Sequence, residues 1–186
     1  GEYDPAKTFD WLKERVGRLE AVVFSGGEAL MQGGAAIDYM QRVRELGFLI
    51  GLHTNGFYPD LLESVSEFVD WIGLDYKATR EKYESLVGNS VAFDRMSKSL
   101  DFWLSTGKSL EVRITCDPRF VDKNDLLTIA TDCAGRGVKN IAVQKYIPHF
   151  EDDDNKTTAE MRNQFFTDDE LRQKINSMFE SVVWRE

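Results

Sequence analysis

Short apolar runs that have the character of β-strands alternate with helical patterns along this chain of 186 residues. Five such runs lie near residues 21–24, 48–52, 69–74, 110–115 and 141–143, and amphipathic segments with helical periodicity separate them. Strands that alternate with helices form parallel sheets with right-handed crossovers. The sequence therefore predicts an α/β fold, and strand spacing alone leaves open whether the sheet stays open or curves into a barrel.

Polar residues follow four of these runs, at the point where each strand ends. They are Glu28 after the Gly26-Gly27 pair, Thr54 with Asn55, Asp75 with Lys77, and Gln144 with Tyr146. The carboxyl ends of parallel strands meet at one edge of a sheet, where ligands bind. The glycines allow a turn whose backbone comes close to a ligand. We expect a single pocket at this edge, suited to a zwitterionic or hydroxyl-rich ligand.

The overall charge argues against several classes of partner. The chain has a net charge of −9 and a pI near 4.8, so its field repels nucleic-acid backbones and anionic membranes. No apolar run approaches the length of a membrane span, and no signal peptide is visible. We therefore expect a cytoplasmic protein that binds neither nucleic acid nor membrane.

Several familiar catalytic motifs are absent from the sequence. It contains no phosphate-binding P-loop, no dinucleotide-binding glycine motif, no nucleophile-elbow serine and no paired-histidine metal motif. The two cysteines, Cys116 and Cys133, are too few and too far apart to form a metal site by themselves. Cys133 lies on the apolar stripe of a helix, and we expect its thiol to be buried. Cys116 lies just past a strand, where burial is again the expectation and a position facing a pocket is the alternative.

Five short motifs, taken in order, resemble a known family. They are S-G-G-E-A-L at 25–30, H-T-N-G-F at 53–57, D-Y-K at 75–77, L-V-G at 86–88 and V-R at 112–113. Together they resemble the radical S-adenosylmethionine activases of glycyl radical enzymes, which include the activases of pyruvate formate-lyase and of anaerobic ribonucleotide reductase. The resemblance covers about residues 15–147. It implies a partial βα barrel of the radical S-adenosylmethionine type.

The resemblance also implies an oxidoreductase reaction. A reduced 4Fe-4S cluster cleaves S-adenosylmethionine, and the resulting 5′-deoxyadenosyl radical removes a hydrogen atom from a glycine of the partner enzyme. An electron donor such as flavodoxin or ferredoxin reduces the cluster. The implied partner is therefore a glycyl radical enzyme.

The family roles carry over to this sequence by position. Gly26 and Gly27 would contact the methionine part of the cofactor, and Glu28 its ammonium group. The ribose and carboxylate side would be lined by Thr54, Asn55, Asp75 and Lys77, with Lys77 neutralising an anion. Gln144 and Tyr146 lie at the same expected edge. Arg113 matches a family arginine, and a structural ion pair inside the barrel is the alternative.

One departure from the family concerns the cluster ligands. The family holds its cluster with a C-x-x-x-C-x-x-C loop before the Gly-Gly-Glu strand, and no cysteine precedes Ser25 here. We therefore expect a fragment, or a natural relative without the cluster, that neither holds a cluster nor generates a radical. Residues 1–147 would form the core without its first strand and cluster loop. Residues 148–186 would add a loop, a helix capped by Thr167 and Glu170, and a short terminal strand near 182–184.

Further departures distinguish members of the family. His53 stands where the pyruvate formate-lyase type has an aspartate, and Ile147 stands where that type has a histidine, with His149 two residues beyond. Both differences favour anaerobic ribonucleotide reductase as the partner. The acidic run 151–154 indicates a solvated loop, and the alternative is a docking site for a basic partner.

Two other functions stay open at the level of sequence. In the first, the chain is a cluster-free βα-barrel lyase or aldolase, in which Lys77 forms a Schiff base or Glu28 and Asp75 hold Mg²⁺. In the second, it is a non-catalytic module that binds S-adenosylmethionine. Calorimetry with the cofactor and with Mg²⁺ separates these alternatives.

Overall fold

Six parallel strands form one sheet in the computed structural model, which describes residues 4–148 and 156–186. The strands follow chain order: β1 (Ala21–Phe24), β2 (Leu49–Thr54), β3 (Trp71–Asp75), β4 (Ser109–Cys116), β5 (Asn140–Lys145) and β6 (Ser181–Arg185). Each strand pairs with the next, so β1 and β6 are the two edges. The predicted parallel α/β fold is confirmed, including the short terminal strand.

Helices connect the strands. They are α1 (Pro5–Lys13), α2 (Gly34–Glu45), α3 (Pro59–Val65), α4 (Arg80–Val87), α5 (Ala92–Thr106), α6 (Lys123–Gly135), α7 (Ala159–Asn163) and α8 (Asp169–Asn176), with a 3₁₀ turn at Ala29–Gln32. In α5, Phe93, Met96, Leu100 and Trp103 recur at helical spacing and are buried. Within the described residues, no helix is both long and apolar enough to span a membrane.

The sheet has one apolar face and one face of mixed polar and apolar side chains, because side chains alternate along each strand. Ile50, Leu52, Ile72, Leu74 and Val112 are fully buried in the core that the helices cover. We call the other side the inner face; it carries His53, Trp71, Asp75, Glu111, Arg113, Gln144 and Arg185. The functional residues can therefore be assigned to a face by their position in the strand.

Both cysteines lie in the core, as expected. Cys116 ends β4, Cys133 lies in α6, and each is 0% exposed. Burial raises the pKa of each thiol to about 12. Neither side chain is therefore a thiolate at neutral pH.

The expected solvated loop before the last helix is partly wrong. Residues 149–155, which include His149 and the acidic run, lie outside the described part of the chain. Beyond them the structure has α7 and buries Phe165 and Phe166. Burial of two adjacent aromatic side chains is strongly favourable, so this segment packs against the core and does not stay solvated.

The predicted cap of the last helix is also wrong, by one residue. Asp168 is the N-cap of α8, and its carboxylate accepts a hydrogen bond from the backbone N–H of Leu171 at 3.0 Å. The hydroxyl of Thr167 instead donates to the backbone carbonyl of Asn163. Aspartate and threonine are both good N-caps. Because the Thr167 hydroxyl is bonded to the end of α7, Asp168 caps α8.

Candidate functional site

The turn after β1 is open to a ligand. Gly26 and Gly27 have φ angles of +98° and +58°, a region that side chains other than glycine rarely adopt. A β-carbon added at either position meets no atom within 4 Å, so the space in front of this backbone is empty. The glycines therefore give the turn its shape, and they leave its surface accessible.

Glu28 joins this turn to the end of β2. Its Oε1 accepts hydrogen bonds from the hydroxyl of Thr54 at 2.9 Å and from the backbone N–H of Leu30 at 3.2 Å. Its Oε2 accepts from the backbone N–H of Asn55 at 2.7 Å. All three donors are neutral, so the carboxylate keeps its full charge for a cationic group. The geometry fixes the Glu28 side chain before any ligand arrives.

Thr54 supports Glu28 from behind. Its side chain is buried, with 2% exposed, and its hydroxyl also accepts a hydrogen bond from the backbone N–H of Gly56 at 3.0 Å. The hydroxyl is thus fully engaged within the protein. A direct contact between Thr54 and a cofactor stays a prediction, and what the structure shows is its support of Glu28.

Two adjoining cavities lie at the carboxyl ends of β2 to β5, and Lys77 lines both. The first, of about 230 Å³, is lined by Asp75, Lys77, Leu86, Arg113, Thr115, Asp117 and Tyr146. The second, of about 30 Å³, is lined by Asn55, Phe57, Lys77, Tyr83, Val87 and Ala92. The expectation of one pocket is corrected by this division. Glu28 lines neither cavity and reaches the second only through its bond to Asn55.

Lys77 brings an available positive charge to this place. The side chain is half-buried, and within the described part of the chain its ammonium makes no hydrogen bond or ion pair. A partly buried ammonium without a partner attracts an anionic group more strongly than one in bulk water. The two cavities are therefore suited to a ligand with a carboxylate.

Asp75 and Arg113 form an ion pair on the inner face. Nη2 and Nε of Arg113 lie 2.6 and 2.9 Å from Oδ1 of Asp75, and the arginine side chain is 12% exposed. The structural ion pair considered for Arg113 is therefore present. Both residues also line the larger cavity, so a contact of either with a cofactor stays a prediction.

Tyr146 belongs to a network that sequence reasoning missed. Arg119 donates to the phenol oxygen of Tyr146 at 2.9 Å and to both carboxylate oxygens of Asp117. Asp117 directly follows β4 and lines the larger cavity. The signal that marked four other strand ends, a polar residue after an apolar run, was present here as well.

Gln144 lies on the inner face of β5 and lines neither cavity. Its Cα pairs with Thr115 of β4 and with Arg185 of β6. The structure therefore brings Lys77, Asp75, Arg113, Asn55 and Tyr146 together around the cavities. It holds Glu28 beside them, and it places Gln144 opposite Thr115 outside the lining of both cavities, so the role of Gln144 in binding stays a prediction.

Relatives and solved structures resemble the chain, although no protein-family model matches it. A Methanocaldococcus jannaschii protein named as a glycyl-radical enzyme activating enzyme is 29% identical over 118 residues, which cover 60% of this chain and 49% of that protein. The 7-carboxy-7-deazaguanine synthase of Thermococcus kodakarensis is 30% identical over 91 residues, 47% of this chain and 36% of the synthase. A solved domain of a pyruvate-formate lyase-activating enzyme from Bacteroides vulgatus superposes with a TM-score of 0.69 at 14% identity, covering 90% of this chain and 100% of that domain.

The chain therefore resembles in sequence a protein named as a glycyl-radical enzyme activating enzyme, and it shares its fold with a domain of a pyruvate-formate lyase-activating enzyme. The resemblance found in the sequence motifs is therefore confirmed, and so is the fold that it implied. The match spans about half the length of the M. jannaschii relative, at 49%. The activity, substrates and partners of a whole activase are consequently matters of proposal for this activase-like chain.

The described residues of the activase-like chain do not fit a 4Fe-4S cluster. Among them, no three His, Cys, Asp or Glu side chains lie close enough to hold a metal ion. Cluster ligands are thiolates, whereas the Cys116 and Cys133 thiols are buried in different elements and have raised pKa values. No chemical step that passes through a cluster follows from this structure.

Two of the larger clefts lie away from the strand ends. One of about 940 Å³ between α5 and α6 is lined partly by Asp101, Asp132 and Arg136, and the arginine is paired with both aspartates. Another of about 760 Å³ beside α7 contains the Lys123–Asp168 ion pair. Neither of these clefts is lined by a residue that the sequence predicts for the site, so the cavities around Lys77 remain the candidate site of the activase-like chain.

Proposed function

We propose that this chain is the S-adenosylmethionine-binding core of a radical S-adenosylmethionine activase, an oxidoreductase that installs a glycyl radical on a partner enzyme. One observation carries the proposal: Lys77 presents a half-buried ammonium, without a partner among residues 4–148 and 156–186, at the sheet edge that also carries the open glycine turn and Glu28. The resemblance to the activases supports it.

The donor set fits the cofactor. S-Adenosylmethionine carries a carboxylate and an ammonium on its methionine part, and Lys77 and Glu28 supply one group of opposite charge for each. Charge-assisted hydrogen bonds are about twice as strong as neutral ones. The backbone of Gly26 and Gly27 would lie against the methionine part, while Asn55 and Asp75 would face the ribose. Arg113, Gln144 and Tyr146 would complete the surroundings.

We propose that the chain by itself binds the cofactor without cleaving it. A 4Fe-4S cluster supplies the electron for cleavage in the family, and the described residues do not fit one. In the complete enzyme the cluster ligands would come from chain outside these 186 residues. Binding by this chain would be weak, with a Kd above about 1 μM, because two charged side chains have to hold the methionine part unaided.

The proposed partner is a glycyl radical enzyme, and the finer proposal is anaerobic ribonucleotide reductase. His53 and Ile147 support this choice, because the pyruvate formate-lyase type differs at both positions. A flavodoxin or ferredoxin would be the electron donor of the complete, anaerobic, cytoplasmic enzyme. The likeness to the Bacteroides vulgatus domain, at 14% identity, concerns the fold and not the partner.

A second candidate function comes from the other relative. The match to a 7-carboxy-7-deazaguanine synthase favours an enzyme that acts on a small molecule and not on a protein. The two candidates share the fold and differ in the substrate. Binding to a purified glycyl radical enzyme favours the first, whereas binding to a deazaguanine without affinity for any such enzyme favours the second.

Isothermal titration calorimetry with S-adenosylmethionine tests the proposal. We expect Lys77→Ala to weaken binding by about tenfold, or about 1.4 kcal/mol, because the cofactor carboxylate loses its counter-charge. Lys174→Ala is the matched control, since this lysine is exposed on α8 and lines neither cavity. Equal affinities for the two variants, or no heat at about 1 mM cofactor, refute the proposal. Borohydride trapping of Lys77 with a carbonyl compound supports the aldolase alternative instead.

A further inference from the structure

A hydrogen bond connects His53 on β2 to the glycine turn after β1. The Oγ of Ser25 lies 3.2 Å from Nδ1 of His53, and Ser25 immediately precedes Gly26. The edge of the imidazole ring meets the ring of Trp71, with 5.5 Å between the centroids. His53 is thus held on the inner face by one hydrogen bond and one aromatic contact.

Gly73 on the neighbouring strand makes room for this imidazole. A β-carbon added at Gly73 would lie 2.9 Å from Cδ2 of His53 and 3.3 Å from Nε of Arg113. The imidazole and the guanidinium therefore both lie against the backbone of Gly73. A cation on His53 would be placed beside the permanent charge of Arg113.

Both inner-face carboxylates near His53 in the described part of the chain are already paired, so neither is free to compensate such a cation. The charged groups around His53 are Asp75 on β3, Glu111 and Arg113 on β4, and Arg185 on β6. Asp75 is paired with Arg113, and Glu111 is paired with Arg185 at 2.8 Å. Burial, followed by the charge of Arg113, lowers the pKa of His53 below its usual value, against the smaller opposing effects of Asp75 and Glu111. The imidazole is accordingly neutral at neutral pH.

We propose that neutral His53 is a positioning residue that holds the Ser25–Gly27 turn in its cofactor-binding shape, and that its protonation weakens the binding of S-adenosylmethionine. This inference rests on the proposed function. In the neutral tautomer with its proton on Nε2, Nδ1 accepts a hydrogen bond from the Ser25 hydroxyl, so the hydroxyl has one orientation. Protonation makes Nδ1 a donor to Oγ of Ser25, so the hydroxyl hydrogen has to turn away from the ring. It also places a positive charge beside a turn that receives a ligand with an ammonium and a sulfonium group.

The binding test compares His53→Asn with the unchanged protein. The side-chain oxygen of asparagine lies near the position of Nδ1, so it can accept from Ser25, and it does not titrate. Between about pH 7.0 and a pH below the lowered pKa of His53 we expect the affinity of the unchanged protein for S-adenosylmethionine to fall about threefold, because the imidazole becomes protonated. His53→Asn should bind nearly as well at pH 7.0 and lose less than about half as much. His53→Ala, without an acceptor, should bind more weakly at both pH values.

A second measurement needs no cofactor. In NMR titrations, the backbone amides of Gly26 and Gly27 should shift with the same midpoint as the ring of His53. The chain has two histidines, so His149→Gln assigns the ring signals and serves as the control. In His53→Asn the glycine amides should show no such midpoint.

The outcomes separate this inference from the proposed function. If His53→Asn keeps the pH dependence of the unchanged protein, or if the glycine amides do not follow the titration of His53, the inference is overturned. If the unchanged protein binds no S-adenosylmethionine at any pH, the proposed function is refuted, while the NMR titration still decides whether His53 controls the turn. A common midpoint, together with loss of the pH dependence in His53→Asn, supports the inference.

Discussion

The carboxylate of Glu28 accepts a hydrogen bond from the buried hydroxyl of Thr54 at 2.9 Å, which joins the turn after β1 to the end of β2. The two residues lie 26 positions apart, and the parallel register of β1 and β2 brings them together. Because the contact is buried on the threonine side, it contributes to stability as well as to the site. Changes at either residue therefore affect folding and binding to different degrees.

We expect Glu28→Gln to lower both stability and affinity for S-adenosylmethionine. A carboxamide has only one acceptor oxygen, so either the backbone N–H of Asn55 or the donors Thr54 and Leu30 would face an NH₂ group. The free energy of unfolding should fall by about 1–2 kcal/mol in urea denaturation. Glu63→Gln, an exposed position on α3, makes the same change of charge and should leave the denaturation midpoint unchanged.

Thr54→Val separates the two effects. The variant removes the buried hydroxyl and leaves the backbone N–H of Gly56 without its acceptor, so we expect a loss of about 1–3 kcal/mol in the free energy of unfolding. The charge of Glu28 is unchanged, so the Kd for S-adenosylmethionine should change less than in Glu28→Gln. A larger loss of affinity in Thr54→Val would indicate that the hydroxyl itself contacts the cofactor.

Gly26→Ala should destabilise the protein although nothing fills the space in front of it. The φ angle of +98° is strained for alanine, so we expect a loss of about 1 kcal/mol that comes from the backbone alone. Gly34→Ala is the matched control, because Gly34 also has no atom within 4 Å of an added β-carbon and its φ is not positive. It should be neutral or slightly stabilising in thermal denaturation. Equal effects of the two substitutions would contradict this reading of the turn.

Much of the fold could be read from local patterns. Helix α5 follows from its own residues, because its apolar positions recur at helical spacing and Gly107, at a φ of +69°, ends it. The strand ends were marked by polar residues after apolar runs, and their convergence on one edge follows from parallel pairing alone. These features depend on residues that lie within one element or directly beside it.

The remaining features depend on contacts between distant elements. The burial of Thr54, the Asp75–Arg113 pair and the network of Asp117, Arg119 and Tyr146 follow from register and rotamer, which no local pattern encodes. The division of the site into two cavities, both lined by Lys77, likewise depends on side-chain packing between elements. Helix α7 was missed because its five residues bury nothing themselves and only position Phe165 and Phe166.

Gly51→Ala should be strongly destabilising, in contrast to Gly26→Ala. A β-carbon at Gly51 would lie 2.5 Å from two carbon atoms of the Trp71 ring, so the indole has to move. We expect a loss of about 2–3 kcal/mol in the free energy of unfolding. In the Trp71→Ala background the same substitution should cost less than about 1 kcal/mol, which a double-mutant cycle measures as coupling. Additive effects would show that the two residues do not meet.

The cap of α8 makes the free energy of unfolding depend on pH in the acidic range. The backbone N–H of Leu171, followed by Lys123, lowers the pKa of Asp168 in the folded state. The resulting stabilisation is fully present above the unfolded pKa of about 3.8 and is lost as the pH falls through the lower folded value. Asp168→Asn should therefore flatten the decline of the urea midpoint below about pH 4.5, and the difference from the unchanged protein should be largest at neutral pH. Asp10→Asn serves as the control, because Asp10 is exposed within α1 and is not the N-cap of that helix. A variant that declines with acid as steeply as the unchanged protein would show that Asp168 does not carry this dependence.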